Sequence, residues 1–476
     1  MNSDMSPEIR TVEPVKRVDP SEIRNPYEAS SLVRKLNAQK EAGISSPIVL
    51  FVDLDGTFED PNPNGSPNIP ERIRQACDLL NIPVVAVTSR SEEMTFSAED
   101  YEKTKASGQI KRPKARLKQI VGPDGKKRFE VASPEEIPAF RGQYSFDAVA
   151  AQTGAVIYTR QQDTGAYVKD KEYEAGSKFD ETQWREKVLP VVTDLITDHE
   201  TGERLSTLLP IEDAANYENG SADVFPLEWR IQLDFKADGD DGTTLTTGAT
   251  DSGTDNKIID PAIYASVGLD PEKLTPQTLT AEEAIAKKQE FKNRIKKLRD
   301  SGVRIFPFGL IDDSNPEKGR ATVYVVRKHA SKQKALKRIL DHIGMSKFDI
   351  SSIYCGDSFT DLLSLEAFYK NPRAAVLLVG DSRLTKTIED ALSGKLPDPR
   401  WAGQSIRSLI RRLRDTDDLG VRTLGEDGPK LITGGVRYDG SQKSETIAAY
   451  LLERIKGLPI NIETYRKVED LLKSAA

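Results

Sequence analysis

The sequence predicts a doubly wound, parallel-sheet α/β core into which an α+β domain is inserted. Three observations support this fold class. Short apolar runs alternate with helical patterns near both ends of the chain, as in βαβ units. Two of these apolar runs end in acidic turns, at the strand ends where α/β sheets bind their ligands. The middle of the chain instead alternates apolar and polar residues, which is typical of a sheet with one solvated face.

The composition of the 476 residues excludes several classes of protein. A net charge of −7 lacks the basic footprint of a nucleic-acid-binding protein, so we expect no nucleic-acid partner. No apolar run approaches the roughly 18 residues that a membrane span needs, and residues 1–26 lack the apolar segment of a secretory signal. We therefore expect cytoplasmic residence and no membrane partner. Cys77 and Cys355 are interpreted as packed thiols rather than a disulfide.

Changes in composition and periodicity divide the chain into segments. In chain order these are a polar leader (1–44), a first part of the core (45–159) with an insertion at about 97–141, an α+β domain (160–320), a second part of the core (321–460) with an insertion at about 391–430, and a C-terminal helix (461–476). The first part of the core begins with a buried strand, Ile48–Val52, and Pro70 then opens a helix. A second strand ends at Thr88. This order predicts parallel strands with a right-handed crossover.

The inserted domain is predicted from mixed strand and helix patterns. Residues 229–235 alternate apolar and polar side chains, whereas 237–256 are rich in Gly, Asp and Thr and are predicted to form a mobile loop. Core-like patterns return with a helix at 332–343 and a buried strand at 353–355. Further along the chain, apolar and basic residues at 405–414 predict an amphipathic helix.

Reactive side chains follow the predicted strands and one helix start. They are the pair Asp53 and Asp55, Thr88, Lys332, and the pair Asp357 and Asp361. Crowded carboxylates repel one another unless a cation joins them, and hard oxygen ligands suit Mg²⁺. Lys332 follows the predicted N-cap Ser331 in a first turn where the helix dipole disfavours positive charge, so we expect an anion nearby. Thr88 adds a hydroxyl donor, which completes the parts that phosphoryl transfer needs.

These residues resemble, in order, the four motifs of the haloacid dehalogenase (HAD) superfamily. The motifs lie at residues 53–57, Thr88, Lys332 and 356–361. The resemblance covers the core segments and implies a Rossmann-like HAD core. It places the 160–320 block where a C2-type cap is inserted in Cof-like, sucrose-phosphate and trehalose-phosphate phosphatases. Residues 147–155 also resemble the stretch that precedes the cap in that branch.

The resemblance implies a Mg²⁺-dependent phosphomonoesterase that acts through an aspartyl-phosphate. Asp53 would attack phosphorus, and Asp55 would protonate the leaving alcohol and later deprotonate the hydrolytic water. The implied metal ligands are Asp53, the backbone carbonyl of Asp55, and Asp357, and the implied supports of the metal loop are Ser358 and Asp361. The implied phosphate-binding residues are Asp53, Thr88, Ser89 and Lys332. The expected substrate is a small phosphorylated metabolite, in the first place a sugar phosphate.

Two residues depart from the family pattern. Ser89 replaces the glycine that usually precedes Arg90, and Gln333 replaces the glycine that usually follows the lysine. Neither change removes a reactive group, but both narrow the space near the phosphate. Lys334 is an alternative to Lys332 as the lysine of the active site.

Alternative interpretations stay open at this point. Thr88 and Asp361 are both compatible with simple helix caps. A phosphotransferase or phosphomutase would use the same reactive groups. A phospho-receiver or binding module that does not turn over would also place an Asp cluster beside Thr and Lys, although a large cap disfavours it. The sequence predicts no oligomeric state.

Overall fold

The structure of the protein is a computed structural model. It describes residues 25–59, 68–90, 92–110, 142–177, 331–346, 348–358, 361–379, 408–438 and 443–474, together with strands between residues 116 and 327. Most of the predicted leader lies outside the described residues. So do residues 281–300, where apolar residues at helical spacing predict a helix.

The described strands alternate with helices along both parts of the core. In chain order the strands are Ile48–Val52 (β1), Val84–Val87 (β2), Arg116–Val121 (β3), Lys127–Ala132 (β4), Ala148–Ala151 (β5), Val156–Arg160 (β6), Tyr167–Lys169 (β7), Thr207–Pro210 (β8), Glu228–Asp238 (β9), Gly242–Thr247 (β10), Gln277–Leu279 (β11), Val303–Phe308 (β12), Gly319–Arg327 (β13), Ser351–Gly356 (β14), Ala375–Leu378 (β15), Leu413–Asp415 (β16), Val421–Leu424 (β17) and Lys430–Thr433 (β18). The described helices are Ser31–Glu41 (α1), Ile69–Leu79 (α2), Glu92–Thr95 (α3), Ala98–Ala106 (α4), Lys171–Ser177 (α5), Lys332–His342 (α6), Ser364–Ala367 (α7), Gly434–Arg437 (α8), Lys443–Ile455 (α9) and Ile462–Lys473 (α10).

Ten of the described strands form the main sheet, in the order β16-β17-β18-β15-β14-β1-β2-β5-β6-β7. The six central strands, from β18 to β5 in this order, are all parallel to one another. Antiparallel strands are added at both edges. The parallel centre confirms the predicted α/β core.

Apolar residues cover both faces of this sheet. On β1, Leu50 packs with residues of α2, α9 and α10, whereas its neighbour Phe51 packs with α1 and α6 on the opposite face. Strands buried on both faces are expected to be continuously apolar, as Ile48–Val52 is. The sheet is therefore doubly wound. Among the described residues, no helix combines the length and apolar character that crossing a bilayer requires.

Local sequence explains where two important helices begin. Asn68 accepts a hydrogen bond from the N–H of Glu71 at the start of α2, and Pro70 occupies the first turn, where its missing N–H costs nothing. Ser331 caps α6 in the same way, through the N–H of Lys334 at 3.1 Å. Both helix starts agree with the sequence prediction.

The described strands β8 to β13 form a second, antiparallel sheet in which β9 is central. The loop predicted at 237–256 is wrong over Gly242–Thr247, which pairs with β9 as the second strand of a hairpin. Its threonines are β-branched and suit a strand despite the surrounding Gly and Asp residues. The amphipathic helix predicted at 405–414 is also wrong at its end, because Leu413–Asp415 pairs with Val421–Leu424 around a turn in which Gly420 has a φ of +73°.

The predicted limits of the inserted domain, residues 160 and 320, stay a prediction, but each of them lies close to a strand that belongs to the other side of the limit. Tyr167–Lys169 belongs to the main sheet, although it follows residue 160. Gly319–Arg327 belongs to the second sheet, although most of it follows residue 320. We propose that the inserted domain spans roughly residues 170–330, so that whole strands stay within one sheet.

Candidate active site

The reactive side chains predicted from the sequence meet at the carboxyl ends of β14, β1 and β2. The last paired residue of β1 is level with Cys355 of β14 and Ala86 of β2. Asp53 follows β1 directly, and its N–H donates to the carbonyl of Cys355 at 2.9 Å. Because the three strands are parallel, Asp357 and Thr88 follow their strands at the same end of the sheet as Asp53.

Lys332 is buried and joins two of the carboxylates. Its Nζ lies 3.0 Å from Oδ1 of Asp53 and 3.0 Å from Oδ1 of Asp361. It is the first residue of α6, directly after the capping Ser331. The structure thus brings Lys332 to the carboxylates, whereas its rival Lys334 lies one half-turn further along the helix.

Asp361 is fully buried and has hydrogen-bond donors at both oxygens. Oδ1 accepts from Nζ of Lys332 and from the hydroxyl of Tyr354 at 2.6 Å. Oδ2 accepts from the N–H of Ser358 at 3.0 Å and from the Ser358 hydroxyl at 2.6 Å. A carboxylate oxygen has about two lone-pair sites, so these donors nearly saturate Asp361. The geometry suits a residue that holds the loop bearing Asp357 rather than one that binds a ligand.

Burial and mutual repulsion perturb the ionisation of these groups. Burial raises the pKa of Asp53 well above its usual range, against the opposing charge of Lys332. Burial and the charge of Asp361 raise the pKa of Asp357 to about 7. Burial also opposes ionisation of Asp361, but the charge of Lys332 and the hydrogen bonds above hold its pKa below the usual range. When Asp53, Asp357 and Asp361 are all ionised, they outnumber the buried ammonium of Lys332, so a bound cation would favour their charged forms.

The donor set fits a divalent cation of the hard type. Asp53 and Asp357 offer oxygens that lie within 4.8 Å of each other, and an oxygen of the hydrogen-bonded Asp361 lies within the same distance of both. Oxygen ligands and excess negative charge are what Mg²⁺ requires. Gly56 keeps the space beside Asp357 open, because it has a φ of +75° and a Cβ there would clash with the Asp357 carboxylate. The side chain of Asp55 is turned elsewhere, so only its backbone carbonyl remains as a predicted ligand.

Asp55 carries the exposed carboxylate of the site. Its side chain is 58% exposed, and Nε and Nη2 of Arg90 donate to its Oδ1 at 3.0 and 2.6 Å. Arg90 also pairs with Glu59, which lies in the turn that begins at Asp55. Arg90 therefore fixes the direction of the Asp55 carboxylate, on the solvent side of the buried cluster.

Thr88 and Ser89 lie at the end of β2. The N–H of Thr88 donates to the carbonyl of Ala150 at 2.9 Å, and its hydroxyl oxygen accepts from the N–H of Arg90 at 3.1 Å. The hydroxyl hydrogen can therefore be directed toward a phosphate oxygen. Thr88 is fully buried and Ser89 is half-buried beside it.

A left-handed turn after β5 supports both Thr88 and the start of α6. Gln152, Thr153 and Gly154 have φ values of +53°, +56° and +81°. The N–H of Thr153 donates to the carbonyl of Thr88 at 2.9 Å. A Cβ on Gly154 would lie 2.5 Å from the carbonyl carbon of Ser331. Any side chain at Gly154 would therefore push against the helix start that carries the buried lysine.

Four residues of the site were not predicted from the sequence. These are Glu59, Arg90, Tyr354 and Lys443. Arg90 follows Thr88 by two residues at a strand end, and that position is a usable signal. Tyr354 has a phenol between Ile353 and Cys355 in a fully buried strand, and a buried phenol needs a hydrogen-bond partner. Glu59 and Lys443 carry no local signal, because only the fold brings them to the site.

Comparisons with known proteins give structural neighbours only. The sequence matches no protein-family model and no curated relative. Solved structures that it overlaps include the sucrose-phosphatase of Synechocystis sp. PCC6803, at 12% identity and a TM-score of 0.29 over 75% of this chain and 90% of that chain. A truncated IMP-nucleotidase of Plasmodium falciparum overlaps at 13% identity and a TM-score of 0.32, over 75% and 72%. A phosphatase of the HAD superfamily from Bacteroides thetaiotaomicron overlaps at 14% identity and a TM-score of 0.31, over 72% and 88%. Superpositions with such low scores do not establish a shared fold, and the α/β core rests on the sheet order described above.

Proposed function

We propose that this protein is a Mg²⁺-dependent phosphomonoesterase of the HAD superfamily, and that it hydrolyses a small phosphorylated metabolite. The main support is the buried ion pair of Lys332 with Asp53 and Asp361, beside Asp357. A phosphoryl-transfer centre needs a nucleophile, a lysine and a cation site close together, and these groups meet at the carboxyl ends of the parallel strands. Thr88 follows the adjoining strand and adds a hydroxyl donor.

In the first half of the proposed reaction, Asp53 attacks phosphorus. A bond forms between an Asp53 oxygen and phosphorus, and the bond from phosphorus to the alcohol oxygen breaks. The N–H of Leu54 and Nζ of Lys332 both donate to Oδ1 of Asp53, so the orientation of this carboxylate is fixed before substrate binds. Lys332 and the hydroxyl of Thr88 would hold the phosphoryl oxygens. When bound at Asp53 and Asp357, Mg²⁺ would neutralise charge on the phosphoryl group.

Asp55 is the proposed acid and base. It would give a proton to the leaving alcohol and then take one from the water that cleaves the aspartyl-phosphate. Its exposure allows it to meet an alcohol oxygen that arrives from solvent, and Arg90 holds its carboxylate in one direction. Asp53 is buried and paired with Lys332, so the two acids have different surroundings and different roles.

The proposed substrate class is a sugar phosphate. It rests on the resemblance of residues 147–155 to the stretch before a C2-type cap, and on the insertion of a second sheet between the two parts of the core. A cap that closes over the site would exclude water from the phosphorylated aspartate until the alcohol leaves.

Phosphate release from p-nitrophenyl phosphate tests this function. We expect turnover that requires Mg²⁺ and is abolished in Asp53→Asn, while Asp341→Asn, an exposed aspartate on α6, retains full activity. Full activity in Asp53→Asn would refute the mechanism. A panel of phosphorylated sugars, nucleotides and glycerol phosphate then ranks substrates. Transfer of the phosphoryl group to an added sugar, or a stable phosphoprotein without turnover, would instead identify a transferase or a phospho-receiver.

A further inference from the structure

Lys443 brings a second lysine to the carboxylate cluster. It is the first residue of α9, far along the chain from the acidic turn after β1. The position of a Cβ built on Gly56 lies 3.2 Å from Cγ of Asp357 and 3.7 Å from Nζ of Lys443. The ammonium is therefore within about 7 Å of the Asp357 carboxyl carbon, a separation at which opposite charges still attract measurably.

The fold fixes the place of Lys443. Helix α9 buries Ile447, Ala448 and Leu451 in the apolar layer that also contains α2 and α10. The helix start consequently cannot move far from the sheet edge where Asp357 lies. Lys443 itself is half-buried, so its charge is only partly screened by solvent.

Lys443 and Lys332 are close to different carboxylates of the cluster. Lys332 is paired with Asp53 and Asp361, which leaves Asp357 without that direct contact. The charge of Lys443 acts on Asp357 across the separation of less than about 7 Å given above. Lys443 is thus a charge partner of the carboxylate that is the proposed second metal ligand.

We propose that Lys443 tunes the affinity of the cation site: its ammonium compensates the charge of Asp357 when no cation is bound and competes with the divalent cation for that carboxylate. The proposal rests on the function proposed above. A positive charge next to a divalent cation raises the free energy of the bound state. Lys443 therefore weakens cation binding and keeps the cation exchangeable, while it limits repulsion among the carboxylates in its absence.

Cation binding, measured without turnover, tests the proposal. Mn²⁺ is titrated into the full-length, cation-free protein and followed by calorimetry and by the electron paramagnetic resonance of free Mn²⁺. We expect Lys443→Met to bind Mn²⁺ at least about tenfold more tightly than the wild type. Lys443→Arg keeps the charge and should stay close to the wild type. Lys456→Met is the matched control, because Lys456 is exposed just beyond the other end of α9.

The outcomes separate this inference from the proposed function. If the wild type binds Mn²⁺, Asp357→Asn abolishes binding, and Lys443→Met binds no more tightly, the role of Lys443 is wrong while the metal site stands. If Lys443→Met leaves Mn²⁺ affinity unchanged but weakens the binding of vanadate, Lys443 contacts substrate and the proposal is overturned. If no variant binds Mn²⁺, both the inference and the proposed metal site fail.

Discussion

Replacing Asp357 by asparagine should stabilise the cation-free protein while it destroys the proposed cation site. Burial and the neighbouring Asp361 raise the pKa of Asp357 from its ordinary 3.8 to about 7. One pKa unit corresponds to about 1.4 kcal/mol, so a shift of this size costs the folded state roughly 4 kcal/mol once the group is ionised. The side chain keeps some contact with solvent, and we therefore expect a gain of about 2 to 4 kcal/mol in Asp357→Asn at pH 8.

The stability difference between Asp357→Asn and the wild type should depend on pH. Between about pH 4 and pH 7 the folded protein holds a proton on Asp357 that the unfolded chain has lost, so the free energy of unfolding falls as the pH rises. Above pH 7 both states have lost the proton and the cost is constant. The stability difference between Asp357→Asn and the wild type should therefore be small at pH 4, grow through this window and level off near pH 8.

Urea unfolding in EDTA at pH 4, 6 and 8 measures this difference, with Asp341→Asn as a control for an exposed aspartate. Mg²⁺ at about 1,000 times its dissociation constant should cancel or reverse this difference at pH 8, because it stabilises the wild type by about 4.1 kcal/mol and the variant lacks a ligand carboxylate. A variant that is less stable than the wild type at pH 8 in EDTA would refute the reasoning, and so would a difference that does not depend on pH.

Three other substitutions test the supports of the site. Lys332→Met leaves a buried carboxylate cluster without its ammonium, so the free energy of unfolding at pH 8 should fall by about 3 to 5 kcal/mol and phosphate release should cease, whereas Lys334→Met should show neither effect. Gly154→Ala adds a Cβ to a left-handed residue packed against the start of α6, and urea unfolding should show a loss of about 1 to 3 kcal/mol together with slower phosphate release. Arg90→Met frees the Asp55 carboxylate and leaves the largely buried Glu59 without its partner, so kcat should fall roughly tenfold to a hundredfold and urea unfolding should show a loss of about 3 to 5 kcal/mol. An unchanged kcat would mean that this arginine does not position Asp55.

The fold was predictable where burial alone determines the pattern. The apolar run Ile48–Val52 is buried on both faces, so its sequence specifies a central strand. Prediction failed where pairing depends on a distant or exposed partner. Gly242–Thr247 is flanked by Gly and Asp residues that favour turns, yet β9 supplies the hydrogen bonds that make the segment a strand. Leu413 continues the helical spacing of the apolar residues at 405–414. Leu413–Asp415 nevertheless pairs with Val421–Leu424, because the chain reverses in a turn that contains Gly420.

The candidate site was predictable to the extent that its residues stand at strand ends or helix starts. Asp53, Thr88 and Asp357 follow strands directly, and parallel pairing brings such positions together. Tyr354 and Lys443 were not predictable in this way. A buried phenol and a lysine on a distant helix acquire their role only from the packing of the sheet and of α9.

The two acids of the fourth motif, Asp357 and Asp361, have the same chemistry but different surroundings in the fold. Asp361 accepts hydrogen bonds from Lys332, Tyr354 and Ser358, and these donors hold its pKa below the usual range despite full burial. Among the residues that the structure describes, no comparable set of donors contacts Asp357, and its pKa rises to about 7. The saturated acid is fixed and charged and can order a loop, whereas the unsaturated acid gains most from a cation. The difference in hydrogen bonding, which no sequence motif contains, is therefore the reason that we propose Asp357 as the metal ligand and Asp361 as the support of the loop.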